Sequence, residues 1–102
     1  MKKTSFYIGL NDKDEKKQII STEKAQKIIE CIFYDIIGGA TIYSGTGIYT
    51  HEDGKKIIEN TFICEVFDIS MDYVKVICEY LKKALNQESI AVNVTEFESM
   101  FL

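Results

Sequence analysis

The chain has 102 residues, 46% of them hydrophobic and 27% charged, which is the size and mixture of one compact domain and excludes a disordered segment. A formal net charge of −4 and a sequence pI near 5.0 disfavour direct binding of nucleic acid, which relies on cationic neutralisation of phosphates, and suit a protein partner with a basic surface. All 12 basic residues are lysines, so functions that need the bidentate guanidinium of an arginine in cis are excluded.

Near the amino terminus, Phe6, Ile8 and Leu10 alternate with Ser5, Tyr7 and Gly9, which predicts a half-buried strand over 5–10. That run is too short for a signal peptide, and no apolar run approaches the ~18–20 residues of a membrane helix. A soluble, cytoplasmic protein with no membrane contact is expected. Residues 11–17 are polar and predict a solvated loop. Ser21 then offers an N-cap, Glu23 suits the helix dipole, and Ala25, Ile28, Ile29, Ile32, Phe33, Ile36 and Ile37 recur at helical spacing. The helix stops at Gly38-Gly39, where a left-handed C-cap is sterically free.

Residues 40–50 and 55–68 predict a β-hairpin joined by His51-Glu52-Asp53-Gly54, with Asp-Gly as the turn signal. Pairing Thr50 with Lys55 sets Thr46 opposite Glu59, Ser44 opposite Thr61 and Ile42 opposite Ile63 on one face. Tyr43 then joins Phe62, Cys64 and Val66 on the core face. Ser70 caps a second helix with Asp72 in its first turn and Val74, Ile77, Cys78, Leu81, Ala84 and Leu85 as its buried stripe, ending near Asn86. Ile90, Val92 and Val94 alternate with Ala91, Asn93 and Thr95 in a last strand. The apolar tail residues Phe97, Met100, Phe101 and Leu102 are expected to pack back over the core or under the first helix, with a contact to a second subunit as the alternative.

The order β-α-β-β-α-β, with right-handed crossovers, predicts a single α+β domain over 1–102. It is a ferredoxin-like plait, a four-stranded antiparallel sheet with two helices on one face. Its open face is expected to carry Tyr7, Ile42, Ser44, Thr46, Glu59, Thr61, Ile63, Glu65, Ala91, Asn93 and Thr95.

No spacing in the chain matches a catalytic or cofactor motif, and no cofactor is expected. Gly45 and Gly47 lack the Gly-Lys-Ser/Thr and following helix of a phosphate loop, and read as a bend or bulge in a strand. His51 with Glu52, Asp53 and Glu59 is the only acid/base constellation, and a histidine in an exposed turn is normally just solvated. One histidine without a cysteine beside it falls short of a transition-metal site. Cys31, Cys64 and Cys78 show no C-x-x-C spacing and are read as reduced, structural residues. An RNA-recognition motif would need aromatics and basic charge on the open face, where Tyr7 stands beside acidic Glu59 and Glu65.

In length, acidity, A/T-rich codon usage and lack of a catalytic set, the whole chain resembles small acidic anti-CRISPR and mobile-element proteins of low-GC bacteria. The resemblance implies a non-enzymatic protein-interaction module, an anti-defence inhibitor that sets an acidic face against a basic nucleic-acid-handling partner. Its candidate contact residues are Tyr7, Ser44, Thr46, Tyr49, Glu52, Asp53, Glu59, Thr61 and Glu65. The alternative from the residues themselves is a small homodimeric α+β-barrel-like enzyme or ligand-binding protein. Its pocket would lie on the open face, with His51, Tyr7 and Glu59 as the polar groups.

Overall fold

The structure, a computed structural model, describes residues 1–98 and 101–102. Six elements follow one another as β1 (Lys2–Gly9), α1 (Thr22–Ile37), β2 (Thr41–Thr50), β3 (Lys56–Phe67), α2 (Met71–Leu85) and β4 (Ala91–Glu96). The strands form one antiparallel sheet in the order β2-β3-β1-β4. One face of that sheet, through Phe6, Ile8, Phe62, Cys64 and Val66, shares a core with Ala25, Ile29 and Phe33 of α1 and Val74, Ile77, Leu81 and Leu85 of α2. This is the α+β, ferredoxin-like plait that the element order predicts.

Local chemistry fixes the helix ends. The Ser21 hydroxyl accepts the Lys24 N–H at 3.2 Å, and the Ser70 hydroxyl accepts the Tyr73 N–H at 3.4 Å. At the other ends, Gly38 (φ 87°) and Asn86 (φ 49°) take the left-handed conformation and donate their N–H groups back to Tyr34 and Lys82. Phe6 meets Phe33 edge to face at 5.1 Å in the middle of the core, an arrangement worth about 0.5–1.5 kcal/mol beyond its area burial.

The β2–β3 register departs from expectation by one residue. Thr50 pairs with Lys56, so the connection is 51–55 rather than 51–54. It closes with the His51 N–H on the Lys55 carbonyl at 2.8 Å, the Gly54 N–H on the His51 carbonyl at 2.9 Å and the Lys55 N–H on Asp53 Oδ1 at 2.9 Å. Because side chains alternate with period two, one residue moves all of β2 to the opposite face. Ile42, Ser44 and Thr46, expected on the open face, pair with Cys64, Phe62 and Asn60 on the helix side. Tyr43, expected in the core, stands opposite Ile63 on the open face. The placements on the other strands hold: Tyr7 pairs with both Ile63 and Ala91, and Ser5 with Glu65 and Asn93.

β1 pairs with β3 only between Thr61 and Phe67, so the far end of the hairpin extends beyond β1 and gives the molecule its 45 × 26 × 24 Å extents. There the cross-strand pair Ile48–Ile58 is 64% and 56% exposed. At the opposite end the tail folds back in cis: Phe97 and Phe101 stack on Phe67 at 5.6 and 5.7 Å. Phe67 continues the open-face series Ile63 and Glu65, so Phe97 and Phe101 lie against the edge of that face rather than under α1. Met100 lies outside the described residues. Among the described residues, no helix is long and apolar enough to cross a membrane.

Candidate functional site

Where β1 ends and the hairpin runs on, the open face holds a cleft of about 530 Å³. Gly9, Thr61 and Gly47 line its floor, with Tyr7 and Ala91 on one side and Tyr49 and Ile57 on the other. His51 borders it from the hairpin turn, Asn11, Lys13 and Lys16 from the β1–α1 loop, and Gln87, Glu88 and Ser89 from the α2–β4 loop.

The central group is Glu59. Its carboxylate lies directly against Gly9, where a β-carbon would stand 2.5 Å from Cδ and 2.6 Å from Oε2. At Gly47, its cross-strand partner, a β-carbon would meet Thr61 Oγ1 at 2.9 Å and Glu59 Cγ at 3.6 Å. Two glycines on flanking strands thus leave a furrow in which the carboxylate lies flat across the sheet. The Asn11 N–H donates to Glu59 Oε2 at 3.0 Å and fixes it. Tyr49 stands beside it: partial burial, then the Glu59 charge and hydrogen bond, push the phenol above its ordinary range.

The lip opposite the hairpin is two loops locked together. Asp12, only 5% exposed, accepts the Asp14 and Glu15 N–H groups on Oδ2, both at 3.0 Å, and the Asn86 amide on Oδ1 at 2.8 Å. The backbone hydrogen bond from Glu15, then the Asn86 amide, hold its carboxyl below the ordinary 3.8. The Asn86 amide also reaches Asp14 at 2.8 Å, and the Gln87 amide donates to the Asn11 carbonyl at 2.8 Å. The left-handed C-cap of α2 therefore also clamps the loop that carries Asn11, Lys13 and Lys16.

The structure brings Tyr7, Tyr49, Glu59 and Thr61 to this cleft, with His51 at its edge. His51 Nδ1 lies 3.3 Å from Asp53 Oδ1, an ion pair only when the imidazole is protonated. Glu52 and Asp53 are exposed in the turn. Glu65 sits further along the open face, 3.4 Å from Lys3 Nζ and accepting the Tyr43 hydroxyl at 3.2 Å. Ser44 and Thr46 line a separate hollow on the helix side with Thr22, Asn60 and Phe62, so they do not join the cleft. Gly9, Asn11, Lys13, Lys16 and Gln87 were not anticipated. The one sequence signal for them is a glycine closing β1, which acquires meaning only once Glu59 is known to face it.

A second groove, of about 480 Å³, runs beside the end of α1 between Phe33, Tyr34, Ala40 and Ile42 and presents almost no polar surface. Among the described residues, no three histidine, cysteine, aspartate or glutamate side chains converge as metal ligands. Burial pushes the Cys64 thiol up to about 12, which makes it inert, and Cys31 is exposed.

No protein-family model matches the chain, and no curated protein sequence matches it significantly. Among solved structures, it is similar to a phage SAM lyase in the apo state, with a TM-score of 0.69 and 22% identity over 92% of this chain and 78% of that one. The phage SAM lyase in complex with S-methyl-5′-thioadenosine gives 0.67 and 21% over 93% and 80%. The divalent ion tolerance protein CutA1 of Ehrlichia chaffeensis gives 0.56 and 16% over 97% and 84%. At these identities the likeness is one of fold.

Proposed function

We propose that the open-face cleft binds an adenosyl sulfonium, S-adenosylmethionine (SAM), and cleaves it to S-methyl-5′-thioadenosine. The observation that carries this reading is the furrow built for Glu59: a carboxylate oriented by Asn11, between glycines, among tyrosines. Such a site suits a small organic cation with a flat apolar body, because the acid takes the charge and the rings and backbone floor take the rest. The fold shared with a phage SAM lyase supports the same ligand class.

The chemistry asks the protein for neither a nucleophile nor a proton shuttle. In SAM cleavage without water, a carboxylate oxygen of the methionyl group attacks its own Cγ. The Cγ–S bond breaks with its electron pair going to sulfur, giving S-methyl-5′-thioadenosine and the five-membered lactone of homoserine. No proton moves and no cofactor is consumed. Sulfonium and carboxylate charges vanish together while the ammonium charge persists, so Glu59 is best spent on the ammonium. The sulfonium is better left to the faces of Tyr7 and Tyr49, where its loss costs little. The site's work is then to fold the methionyl chain so that oxygen faces Cγ. Calorimetric titration with S-methyl-5′-thioadenosine tests the nucleoside half of the site: saturable binding that Tyr49→Ala weakens supports it, and no heat of binding contradicts it.

A second reading, an anti-defence interaction module of the anti-CRISPR type, draws on the hairpin tip. Exposed Ile48 and Ile58 lie behind the acidic turn residues Glu52 and Asp53, a mixture of apolar anchor and charge that suits a partner surface. A second copy of this chain, as in a homodimer, or a basic protein would cover it. Reversing Glu52 and Asp53 to lysine should abolish co-purification of a basic partner and leave self-association unchanged.

A further inference from the structure

We infer that Lys13 and Lys16 form a carboxylate-reading rim that makes the cleft select aminoacyl-bearing adenosyl ligands over bare nucleosides, an inference that rests on the adenosyl reading above. Both lysines line the cleft, two and five residues beyond Asn11, whose N–H holds Glu59. Elsewhere the ammonium groups of Lys3 and Lys82 sit 3.4 and 2.8 Å from Glu65 and Glu79. Among the described residues, neither Lys13 nor Lys16 takes part in an ion pair. Among the described residues these are the lysines that line the cleft, and although Lys13 feels the nearby charge of Asp12, neither ammonium is held in an ion pair, while the chain as a whole is acidic.

Their backbone is set in advance. The Lys13 N–H donates to the Asn86 carbonyl at 3.1 Å and the Lys16 N–H to the Asp12 carbonyl at 2.9 Å, and Lys16 takes a left-handed φ of 60°. With Asp12 buried beneath and clamped by Asn86, the loop does not need to be ordered by the ligand. Charge is then divided across the cleft: Glu59 on the floor and Glu88 on the far lip favour a cation, and on the β1–α1 lip the Lys13 and Lys16 ammonium groups favour an anion, because Asp12, which also lines the cleft, has both oxygens occupied by the Asp14 and Glu15 N–H groups and the Asn86 amide. An α-amino acid end presents both charges a few bonds apart. A bare nucleoside thioether presents neither, and leaves both lips unused.

This rim has a kinetic signature. A lysine paired with the ligand carboxylate stabilises a charge that disappears as the lactone closes, so it stabilises bound SAM more than the transition state. Removing it should raise KM without lowering kcat, whereas a residue that merely supports the fold would lower kcat.

The test compares the wild-type chain with Lys13→Gln/Lys16→Gln, which keeps a polar side chain and removes the charge, and Lys13→Arg/Lys16→Arg, which keeps charge. Affinities are measured for SAM, S-adenosylhomocysteine and S-methyl-5′-thioadenosine, with SAM turnover kinetics alongside. The glutamine pair should bind the two carboxylate ligands about tenfold more weakly, as expected for two water-exposed ion pairs. Its affinity for S-methyl-5′-thioadenosine should stay within about twofold, its KM should rise with kcat maintained, and the arginine pair should restore wild-type preference. Equal weakening of all three ligands, or no change in any, overturns the rim while the adenosyl site stands. Failure of the wild-type chain to bind any of the three overturns the site and the rim together.

Discussion

Glu59 reaches across the sheet onto Gly9 so closely that a β-carbon there would stand 2.5 Å from its carboxyl carbon. A methyl group at this position must drive the acid out of its furrow and away from the Asn11 N–H. Gly9 does not occupy the left-handed region, so its backbone accepts alanine without strain. Gly9→Ala should therefore fold and still lose about 10- to 100-fold in affinity for a cationic ligand, the scale of one charge-assisted contact. Calorimetry paired with a thermal melt separates this from general destabilisation. Unchanged affinity would remove Glu59 from the site.

Much of this arrangement was legible in the chain, and the part that was not failed for two reasons. Helix α1 could be bounded to the residue because Ser21 and Gly38-Gly39 punctuate a clean apolar stripe. Tyr7, Glu59, Thr61 and Glu65 fell on the correct face because β1 and β3 alternate plainly. In β2 the run Ile42-Tyr43-Ser44-Gly45-Thr46 has no apolar period to hold a register, so its faces depended on turn length alone. Asp53 and Gly54 invite a four-residue loop, but the Asp53 side chain accepts the Lys55 N–H and draws a fifth residue into it. The clamp from Asp12 to Asn86 spans 74 positions, and no local pattern announces such a pair.

That clamp carries a pH signature. The folded carboxyl of Asp12 titrates below the ordinary 3.8, so its contribution to stability is fully present above that value and is lost as pH falls through the folded one. Urea unfolding should show Asp12→Asn less stable than wild type at neutral pH. The gap should narrow only below about 3.8 and close in stronger acid. A gap that stays constant across the acid range would show that the charge of Asp12 is not what holds the loops.

The three thiols should differ sharply in reactivity. Cys31 is exposed, Cys78 is half-buried with its thiol pushed up by burial, and Cys64 is buried with its thiol at about 12. With a disulfide reagent at mildly alkaline pH, Cys31 should be labelled first and Cys64 only after unfolding. Peptide mapping of the labelled chain reads the order directly, and early labelling of Cys64 would contradict the packing of the central strand β3.

Incubation of the purified chain with SAM, followed by chromatographic separation of the products, tests the functional reading most directly. S-methyl-5′-thioadenosine and homoserine lactone should accumulate in equal amounts without added metal or cofactor, and at SAM concentrations below KM Glu59→Ala should slow both about 10- to 100-fold. Recovery of SAM intact beside a folded wild-type chain would contradict the assignment of the open-face cleft to sulfonium cleavage.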